Sequence, residues 1–367
     1  MLHGDRLDQP SYSFLRTLPG GAVGEVRLVW HEPLQRMLVQ KTIDLLGLED
    51  AVAYQEPRLL DRVQHDHVVR IRDAQPDPEI NFGLTLVMDY QPGGSVHDAL
   101  KEGHRFGVRR ALLLAGQVLD ALDHLHIQHK FLHRDVKPGN ILLDQDRKTA
   151  YLSDLGSAAP LSDGDPTCSA HGGTLLYRPP EYASGVLDAR SDVYSLGVTL
   201  LEMLRGPFPY DRMDPLQMEE ALGRNRRAFP DGLAEFPPHV NPQVRRAVRS
   251  MAAQAPSSRP ASAIDALRRL QECKTIDWRL CGPRDGGPRE WEGSGLPGRD
   301  GRARCYRVEA VPLGAGRHRG RMRVNVFYRN RDGAAWRRLE PEAVVDPDDR
   351  DALDRAFSTA HSDAFQR

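Results

Sequence analysis

FLHRDVKPGNILLD, residues Phe131 to Asp144, places His, Arg, Asp, Lys and Asn side chains between two short apolar runs. The centre of this stretch is too polar for the interior of a strand, and its ends are too apolar for a free linker. We therefore expect two short strands that anchor a polar loop, and we expect the charged side chains of that loop to face a cleft.

Composition excludes several classes of protein. The 367 residues suffice for a large core and more than one domain, and the net charge of -1 gives no reason to expect a nucleic-acid or membrane partner for the whole molecule. No run of about 18 apolar residues predicts a membrane span, and the first residues lack the apolar stretch of a signal peptide, so we expect a cytoplasmic protein. The cysteines have no Cys-x-x-Cys spacing, which favours reduced thiols over the alternative, a zinc site. They are Cys168, Cys273, Cys281 and Cys305.

The residue patterns divide the chain into a β-rich part and a helical part. Residues 11–90 contain the β-rich runs GEVRLVW, RMLVQKTI and GLTLVMDY, and between them AVAYQEPRLLDRV has the spacing of an amphipathic helix that Pro57 is expected to distort. Residues 91–272 contain a long amphipathic helix at 108–128 and a segment, SDVYSLGVTLLEML, that is apolar nearly all round and so predicts a buried helix. The fold class is therefore α+β.

The opening stretch resembles the catalytic loop of protein kinases, His-Arg-Asp-x-Lys-Pro-x-Asn, and other motifs of that family occur around it in order. LPGGAVGEV resembles the glycine-rich loop, which needs exposed backbone N–H groups close to phosphate oxygens. Gly21 and Gly24 match the second and third glycines of that motif, while Pro19 stands where the first is usual. Val26 matches the valine that packs on the adenine ring.

The resemblance assigns further nucleotide contacts. Lys41 of LVQKTI matches the strand lysine that binds the α- and β-phosphates, and Glu56 on the following helix matches its partner. The chain has six lysines against 44 arginines, which makes a generic surface Lys–Glu pair the weaker interpretation. Met88, Asp89 and Tyr90, where GLTLVMDY ends, are implied to contact ATP as well.

The catalytic loop itself is implied to supply the chemistry. Asp135 matches the residue that accepts or orients the proton of the substrate hydroxyl, and Lys137 matches the residue that neutralises the transferring phosphoryl group. Asn140 and the later Asp154 of LSDLGSA are implied to hold Mg²⁺ through hard oxygen ligands. Leu155 replaces the Phe of the usual Asp-Phe-Gly, an exchange that only packing has to accommodate.

Motifs further along the chain extend the resemblance to about residues 11–272. In GGTLLYRPPE, Thr174 matches a residue that contacts the catalytic Asp, and Glu181 needs a cation, for which Arg259 is the family's partner. Asp192 matches the residue that holds the backbone of the catalytic loop. The resemblance implies a bilobal kinase fold, with a small β-rich N-lobe over 11–90 and a large helical C-lobe over 91–272.

The implied function is an ATP- and Mg²⁺-dependent serine/threonine protein kinase, since Lys137 follows the catalytic Asp by two residues. Its partner is a protein substrate with a Ser or Thr acceptor. Two alternatives stay open: a pseudokinase scaffold, supported by Pro19, Pro57 and Leu155, and a kinase of small molecules, which usually lacks the Pro-Pro-Glu type of ending.

Regulation is expected in the segment 157–174. Arg134, beside the catalytic Asp, often needs a negative partner in the family. We hypothesise that autophosphorylation supplies it, with Thr167 and Ser169 as acceptors, and the alternative is a segment that is ordered without phosphate.

The chain after residue 272 resembles no family that we recognise. The Gly-, Pro- and Arg-rich segment 273–300 predicts a linker or irregular loop, and 301–367 predicts a small module with a hairpin at Asp332-Gly333 and a closing helix capped by Asp346. Between 299 and 338, 12 arginines face three acidic residues, so we expect a partner or the kinase lobe to dock on this basic module, with a solvated polar face as the alternative. Nucleic acid is the least favoured partner, and no membrane partner is expected.

Overall fold

The structure is a computed structural model that describes residues 12–19, 25–46, 54–77, 83–161, 164, 166–281, 287–297, 303–330, 333–347 and 349–365. Gly21 and Gly24, to which the sequence assigns phosphate contacts, lie outside the described residues.

The N-lobe is an antiparallel sheet of five strands in the order β1-β2-β3-β5-β4, with one helix beside it. In the register of β2 and β3, Val26 pairs with Lys41, so these two side chains project from the same face of the sheet. The elements are β1 (Tyr12–Leu18), β2 (Val26–His31), β3 (Arg36–Asp44), α1 (Gln55–Arg62), β4 (Ile71–Pro76) and β5 (Gly83–Asp89).

Pro57, which the sequence predicts to distort this helix, lies in the first turn of α1 as the structure describes it. The helix begins at Gln55, so Pro57 lies in its first turn, where a backbone N–H has no intrahelical acceptor. The missing N–H therefore costs no hydrogen bond, and the ring of Pro57 is buried.

The C-lobe is built around two long helices. Helix α4 is buried along almost its whole length, as its all-round apolar sequence predicts. The helices are α2 (Val96–Lys101), α3 (Val108–Gln128), α4 (Ala189–Arg205), α5 (Pro215–Gly223), α6 (Pro242–Met251) and α7 (Ala263–Gln271). One continuous hydrophobic core includes Leu60 of α1 in the N-lobe and the buried faces of α3 and α4.

Short strands anchor the catalytic loop, as the opening stretch of sequence predicts. β6 (Phe131–Leu132) pairs with β9 (Ala159–Pro160), and β7 (Ile141–Leu143) pairs with β8 (Ala150–Leu152). The polar residues between β6 and β7 are thereby held at both ends. A third short pair, β10 (Cys168–Ser169) with β11 (Val186–Leu187), holds both ends of the segment 170–185.

The C-terminal part is a six-stranded antiparallel sheet with a helix packed on one face, and we call residues 275–365 the C-terminal module. Its core contains Trp278, Trp291, Tyr306, Val308 and Phe357. The elements are β12 (Asp277–Leu280), β13 (Arg289–Pro297), β14 (Ala303–Pro312), β15 (Met322–Arg329), β16 (Arg337–Arg338), β17 (Ala343–Val345) and α8 (Arg350–Phe365).

The prediction of a linker or irregular loop over 273–300 is wrong, because β12 and β13 lie there and pair with each other. Glycine conceals the alternation that marks a strand. Trp291 and Gly293 face the core, and a Cβ on Gly293 would lie 2.5 Å from Ile276 and 2.9 Å from the ring of Trp278. Gly293 is therefore a packing residue rather than a loop residue.

The end of the chain follows the sequence in part. The hairpin is confirmed, since β15 pairs with β16 across the loop that contains Gly333. The cap of helix α8 is not Asp346, because the Asp349 carboxylate accepts the N–H of Ala352 at 2.9 Å. Asp346 instead lies 3.5 Å from the guanidinium of Arg321.

The C-terminal module contacts the C-lobe through side chains of α6 and α8. Arg245 of α6 donates to both carboxylate oxygens of Asp354, at 3.0 and 2.7 Å, and Arg350 pairs with Glu235. The ring of Phe357 lies against that of His239, with centroids 6.0 Å apart. The module and the lobe thus share an interface with both ionic and aromatic contacts.

Candidate active site

Asp135 is a buried carboxylate that accepts hydrogen bonds from Lys137, from the backbone N–H of Thr174 and from the amide of Asn140. Lys137 donates to Asp135 Oδ2 at 2.7 Å, and the backbone N–H of Thr174 donates to Asp135 Oδ1 at 2.7 Å. The Lys137 ammonium also donates to Thr174 Oγ1 at 2.7 Å. The contact between Thr174 and the carboxylate is confirmed, and it fixes the orientation of the predicted catalytic group.

Asp192 of α4 binds the backbone of the catalytic loop, as predicted. Its carboxylate accepts the N–H of His133 at 2.9 Å and that of Arg134 at 2.8 Å. His126 Nε2 of α3 lies 2.7 Å from the same carboxylate. Burial alone would raise the pKa of Asp192, but the hydrogen bond and charge of His126 lower it below its ordinary value.

Lys41 connects the two lobes. Its ammonium lies 2.9 Å from Glu56 Oε1 and 2.7 Å from Asp154 Oδ1, so the pairing with Glu56 is confirmed and Asp154 adds a second carboxylate. Burial opposes the charge of Lys41, but the attraction of Asp154 and Glu56 outweighs it and raises the pKa of Lys41. A lysine that remains charged in this cleft is suited to phosphate oxygens.

The two carboxylates beside Lys41 differ in the direction of their pKa shifts. Burial is the largest influence on Glu56 and raises its pKa despite the nearby ammonium. For Asp154, burial is outweighed by the charge and hydrogen bond of Lys41, so the pKa of Asp154 lies below its ordinary value. Asp154 is thus the more firmly ionised of the two, which is the state that a cation requires.

Two residues of the site have left-handed backbone conformations. Arg134 has φ of 64° and Asp154 has φ of 63°, a region that non-glycine residues rarely adopt. Such conformations cost of order 1–3 kcal/mol and persist where the surrounding contacts impose them. Both residues lie beside the groups that the sequence assigns to phosphoryl transfer.

The remaining predicted nucleotide contacts lie at the rim between the lobes. Met88 and Asp89 end β5, and Tyr90 follows at once. The carboxylate of Asp89 is bound by Arg72 at 2.7 and 2.5 Å, so a contact from this residue to a nucleotide would come from its backbone. Val26 projects from the same face of the sheet as Lys41.

Asn140 and Asp154 fit the binding of Mg²⁺. Asn140 donates its amide nitrogen to the backbone oxygen of Asp135 at 2.9 Å and to Oδ2 at 3.1 Å, so its amide oxygen is the atom left for a cation. Asp154 is ionised and has a side chain that is 38% exposed. A carboxylate and an amide oxygen are ligands that Mg²⁺ prefers, with waters and phosphate oxygens completing the shell.

The segment after Asp154 is held by backbone and ionic contacts. The guanidinium of Arg134 donates to the carbonyl of Ser157 at 2.6 Å and to that of Ser169 at 3.0 Å. At the far end, Arg259 binds both carboxylate oxygens of Glu181, at 2.6 and 2.7 Å, which confirms this predicted pair. The segment is therefore anchored at its beginning, middle and end.

Sequence reasoning missed a buried carboxylate near this segment. Glu202 of α4 is fully buried and accepts hydrogen bonds from Tyr177 at 2.6 Å, Tyr210 at 2.5 Å and the N–H of Phe208 at 3.0 Å. A Glu inside the otherwise apolar run LGVTLLEML was the available signal. His126 was missed in the same way, as a polar residue on the buried face of α3.

Other kinds of site find little support. The described residues include no group of three or more His, Cys, Asp or Glu side chains placed to hold a metal ion. All four cysteines carry free thiols. Within the described ranges, every helix is too short or too polar to span a bilayer.

Comparison with known proteins agrees with this geometry. A family model described as the protein kinase domain matches residues 12–273, which is more than half of the chain. The match includes the catalytic loop, Lys41 and Arg259.

Curated relatives are similar over the same region. The chain is 31% identical over 258 residues to "Serine/threonine-protein kinase Nek3" of Oryza sativa subsp. japonica, covering 69% of this chain and 42% of the relative. It is 30% identical over 233 residues to the "cAMP-dependent protein kinase catalytic subunit" of Schizosaccharomyces pombe, covering 62% and 44%. It is 31% identical over 239 residues to "Serine/threonine-protein kinase stk11" of Xenopus laevis, covering 63% and 52%. The matched part thus spans about half of the length of each relative. A family match over more than half of the chain means that the chain belongs to the protein kinase family.

Proposed function

We propose that this protein is an active serine/threonine protein kinase that uses ATP and Mg²⁺. The observation that carries the proposal is the position of Lys41, whose ammonium lies within 3 Å of both Glu56 and Asp154. This arrangement joins the phosphate-binding lysine of the N-lobe to the metal-binding carboxylate of the C-lobe. Catalysis of phosphoryl transfer depends mainly on such positioning and charge neutralisation.

The residues of the catalytic loop have separate tasks in this proposal. Asp135, oriented by the N–H of Thr174, receives the proton of the substrate hydroxyl. Lys137 lies between Asp135 and Thr174 and neutralises charge on the transferring phosphoryl group. ATP would supply that group, and Asn140 and Asp154 would hold Mg²⁺, which would neutralise charge on the phosphate oxygens.

A protein substrate is favoured over a metabolite. The anchored segment between Asp154 and Glu181 lies against the catalytic loop and offers an extended surface for a polypeptide. Specificity for Ser and Thr is supported by Lys137 two residues after Asp135 and by the names of the relatives. A kinase of small molecules would phosphorylate a metabolite and ignore all protein substrates.

The decisive experiment compares wild type with Asp135→Ala, using labelled ATP and a generic basic protein. We expect the variant to lose phosphoryl transfer by several orders of magnitude, because no other carboxylate of the described residues lies against Lys137 and Thr174 together. Asp120→Ala is the matched control, since that side chain is 53% exposed on α3. Equal activity in wild type and Asp135→Ala would contradict the proposal.

A pseudokinase scaffold is the alternative, and its support is weaker in the structure than in the sequence. Leu155 is fully buried in the core that joins the lobes, and Pro57 occupies a first-turn position. Pro19 follows β1 directly and remains the one departure without a structural account. A scaffold predicts nucleotide or partner binding that Asp135→Ala leaves intact, with no turnover by wild type.

We further propose that the segment 157–174 is autophosphorylated at Thr167 or Ser169 without depending on the phosphate for its order. Arg134 already donates to the carbonyls of Ser157 and Ser169, so these neutral acceptors satisfy part of the guanidinium without a phosphate. Phosphopeptide mapping after incubation with Mg-ATP tests the modification. Thr167→Ala/Ser169→Ala is expected to retain more than about a third of the activity, and complete inactivity would show that the phosphate is required.

Docking of the C-terminal module on the kinase lobe is proposed in preference to a basic surface for an external partner. Several of the described arginines within 299–338 lie beside acidic side chains of the module: Arg307 by Glu290 and Glu292 of β13 and by Glu309 of its own strand, and Arg323 by Glu342. The ring of Trp336 has guanidinium groups 4.5 Å from its centroid, those of Arg307 and Arg329, so it is not open for stacking on bases. Deletion of 280–367 is expected to lower stability, and an unchanged melting temperature would count against docking.

A further inference from the structure

The C-terminal module reaches the beginning of helix α3. Gly107 is the N-cap of this helix and has no side chain to accept the first N–H groups. Asp277 of β12 takes that part, because its Oδ1 accepts the N–H of Arg109 at 3.1 Å. A carboxylate at a helix N-terminus also interacts favourably with the helix dipole.

The approach of Asp277 depends on glycine at position 107. A Cβ added to Gly107 would lie 2.4 Å from Asp277 Oδ1 and 3.1 Å from Cγ of the same residue. Real Cβ atoms do not approach so closely, so any other residue at 107 would push the carboxylate off the helix. Gly107 of the lobe therefore leaves the space that the Asp277 carboxylate of the module occupies.

Arg109 forms the second half of this contact. Its Nη2 donates to the carbonyls of Thr275 at 3.2 Å, Ser294 at 3.1 Å and Gly295 at 3.1 Å. These carbonyls come from the start of the module and from β13, so one side chain of α3 binds two segments of the module. Charge-assisted hydrogen bonds of this kind are about twice as strong as neutral ones.

The other end of α3 contacts the catalytic loop. His126, in the last turn of this 21-residue helix, lies against Asp192, which in turn holds the N–H groups of His133 and Arg134. A helix of that length spans about 30 Å. A displacement of α3 as a rigid element would move His126 with it.

We propose that Asp277 and Arg109 are positioning residues for the catalytic loop: the C-terminal module caps and clamps helix α3, and the helix holds the loop through His126 and Asp192. In this proposal the module contributes to the geometry of the catalytic loop. The kinetic consequence rests on the proposed kinase function, whereas the structural consequence does not.

The test compares full-length Asp277→Ala with Glu292→Ala as a matched control. Glu292 is also an acid of the module, but it pairs with Arg307 of the same sheet instead of the lobe. Two experiments are done well below the melting temperature of each variant. The first measures hydrogen exchange of the His133 and Arg134 amides, and the second measures kcat and KM for ATP. Asp277→Asn, which keeps an oxygen acceptor for the cap, serves as the conservative variant.

We expect Asp277→Ala to exchange the two amides about five-fold faster and to lower kcat by a similar factor with KM for ATP unchanged, since loss of an N-cap has about this effect on an equilibrium. Asp277→Asn should recover most of both, and Glu292→Ala should resemble wild type. Equal exchange in Asp277→Ala and Glu292→Ala would overturn the proposal.

Gly107→Ala disturbs the same contact from the side of the lobe and should have the same effect on exchange and kcat. It replaces Asp277→Ala in the test if that variant folds poorly. Absence of phosphoryl transfer in wild type would refute the proposed function, but the exchange measurement would still decide this inference.

Discussion

Loss of the Arg259 guanidinium is expected to lower the free energy of unfolding by several kcal/mol. This guanidinium is fully buried and donates to both oxygens of Glu181, to the carbonyls of Ala253 and Gln254, and to that of Arg190. In Arg259→Met the Glu181 carboxylate keeps only the hydroxyl of Ser191, at 2.9 Å, as a described side-chain donor. The substitution therefore leaves a carboxylate that is 14% exposed without its cation.

The magnitude follows from that geometry. Removal of one partner of a buried ion pair costs about 3–5 kcal/mol, because the remaining charge is desolvated and uncompensated. For a chain of this size we expect the melting temperature to fall by roughly 4–7 °C. Arg224→Met is the control, since Arg224 and Glu220 are both more than half exposed and such a pair contributes less than about 0.5 kcal/mol.

Urea unfolding of Arg259→Met, Glu181→Gln and the double variant distinguishes this account from a simple loss of packing. If the cost arises from the unpaired carboxylate, the double variant should be less destabilised than the sum of the single variants by about 2 kcal/mol. Additivity within about 0.5 kcal/mol would refute the reasoning, because it would mean that neither side chain depends on the other.

Two further predictions concern the cleft and the interface of the module. Glu56→Gln removes one of the two carboxylate charges beside the Lys41 ammonium, while the carboxylate of Asp154 remains. We therefore expect kcat/KM to fall about tenfold in initial-rate assays. An unchanged kcat/KM would show that Asp154 alone suffices to position Lys41. Burial, together with the charge of Arg245, lowers the pKa of His239 to about 4. The folded state therefore disfavours the protonated ring, and stability that is present above about pH 6.5 is lost as the pH falls towards 4. Urea unfolding should show a loss of about 2 kcal/mol from pH 7.5 to pH 5 that His239→Phe abolishes. An equal loss in the variant would assign the effect to other groups.

The kinase part of the fold could be predicted because its chemistry is local in sequence. Asp135, Lys137 and Asn140 occupy one short loop, and their contacts repeat the order of the motif. Lys41 and Glu56 are further apart, but each lies in an element with a clear periodicity. What a motif cannot show is the network behind it, such as Glu202 with Tyr177, because those contacts arise only from packing.

The C-terminal module was harder to predict for a different physical reason. Composition alone makes 289–297 resemble a loop, yet Gly293 is small because Trp278 and Ile276 lie against it. Likewise, a count of arginines along the chain predicts a basic surface, whereas strands bring Glu290 and Glu292 beside Arg307. In both cases the decisive neighbour is distant in sequence.

Gly107 and Asp277 together define a sequence signature of this interface. A kinase lobe without an acid in the place of Asp277 would have room for a larger side chain at 107, so the glycine and the acid are expected to occur together. Genomic surveys can therefore search for kinases that combine glycine just before this helix with an acid shortly after the last helix of the lobe. Chains that share both features are candidates for the same contact between a kinase lobe and a C-terminal module.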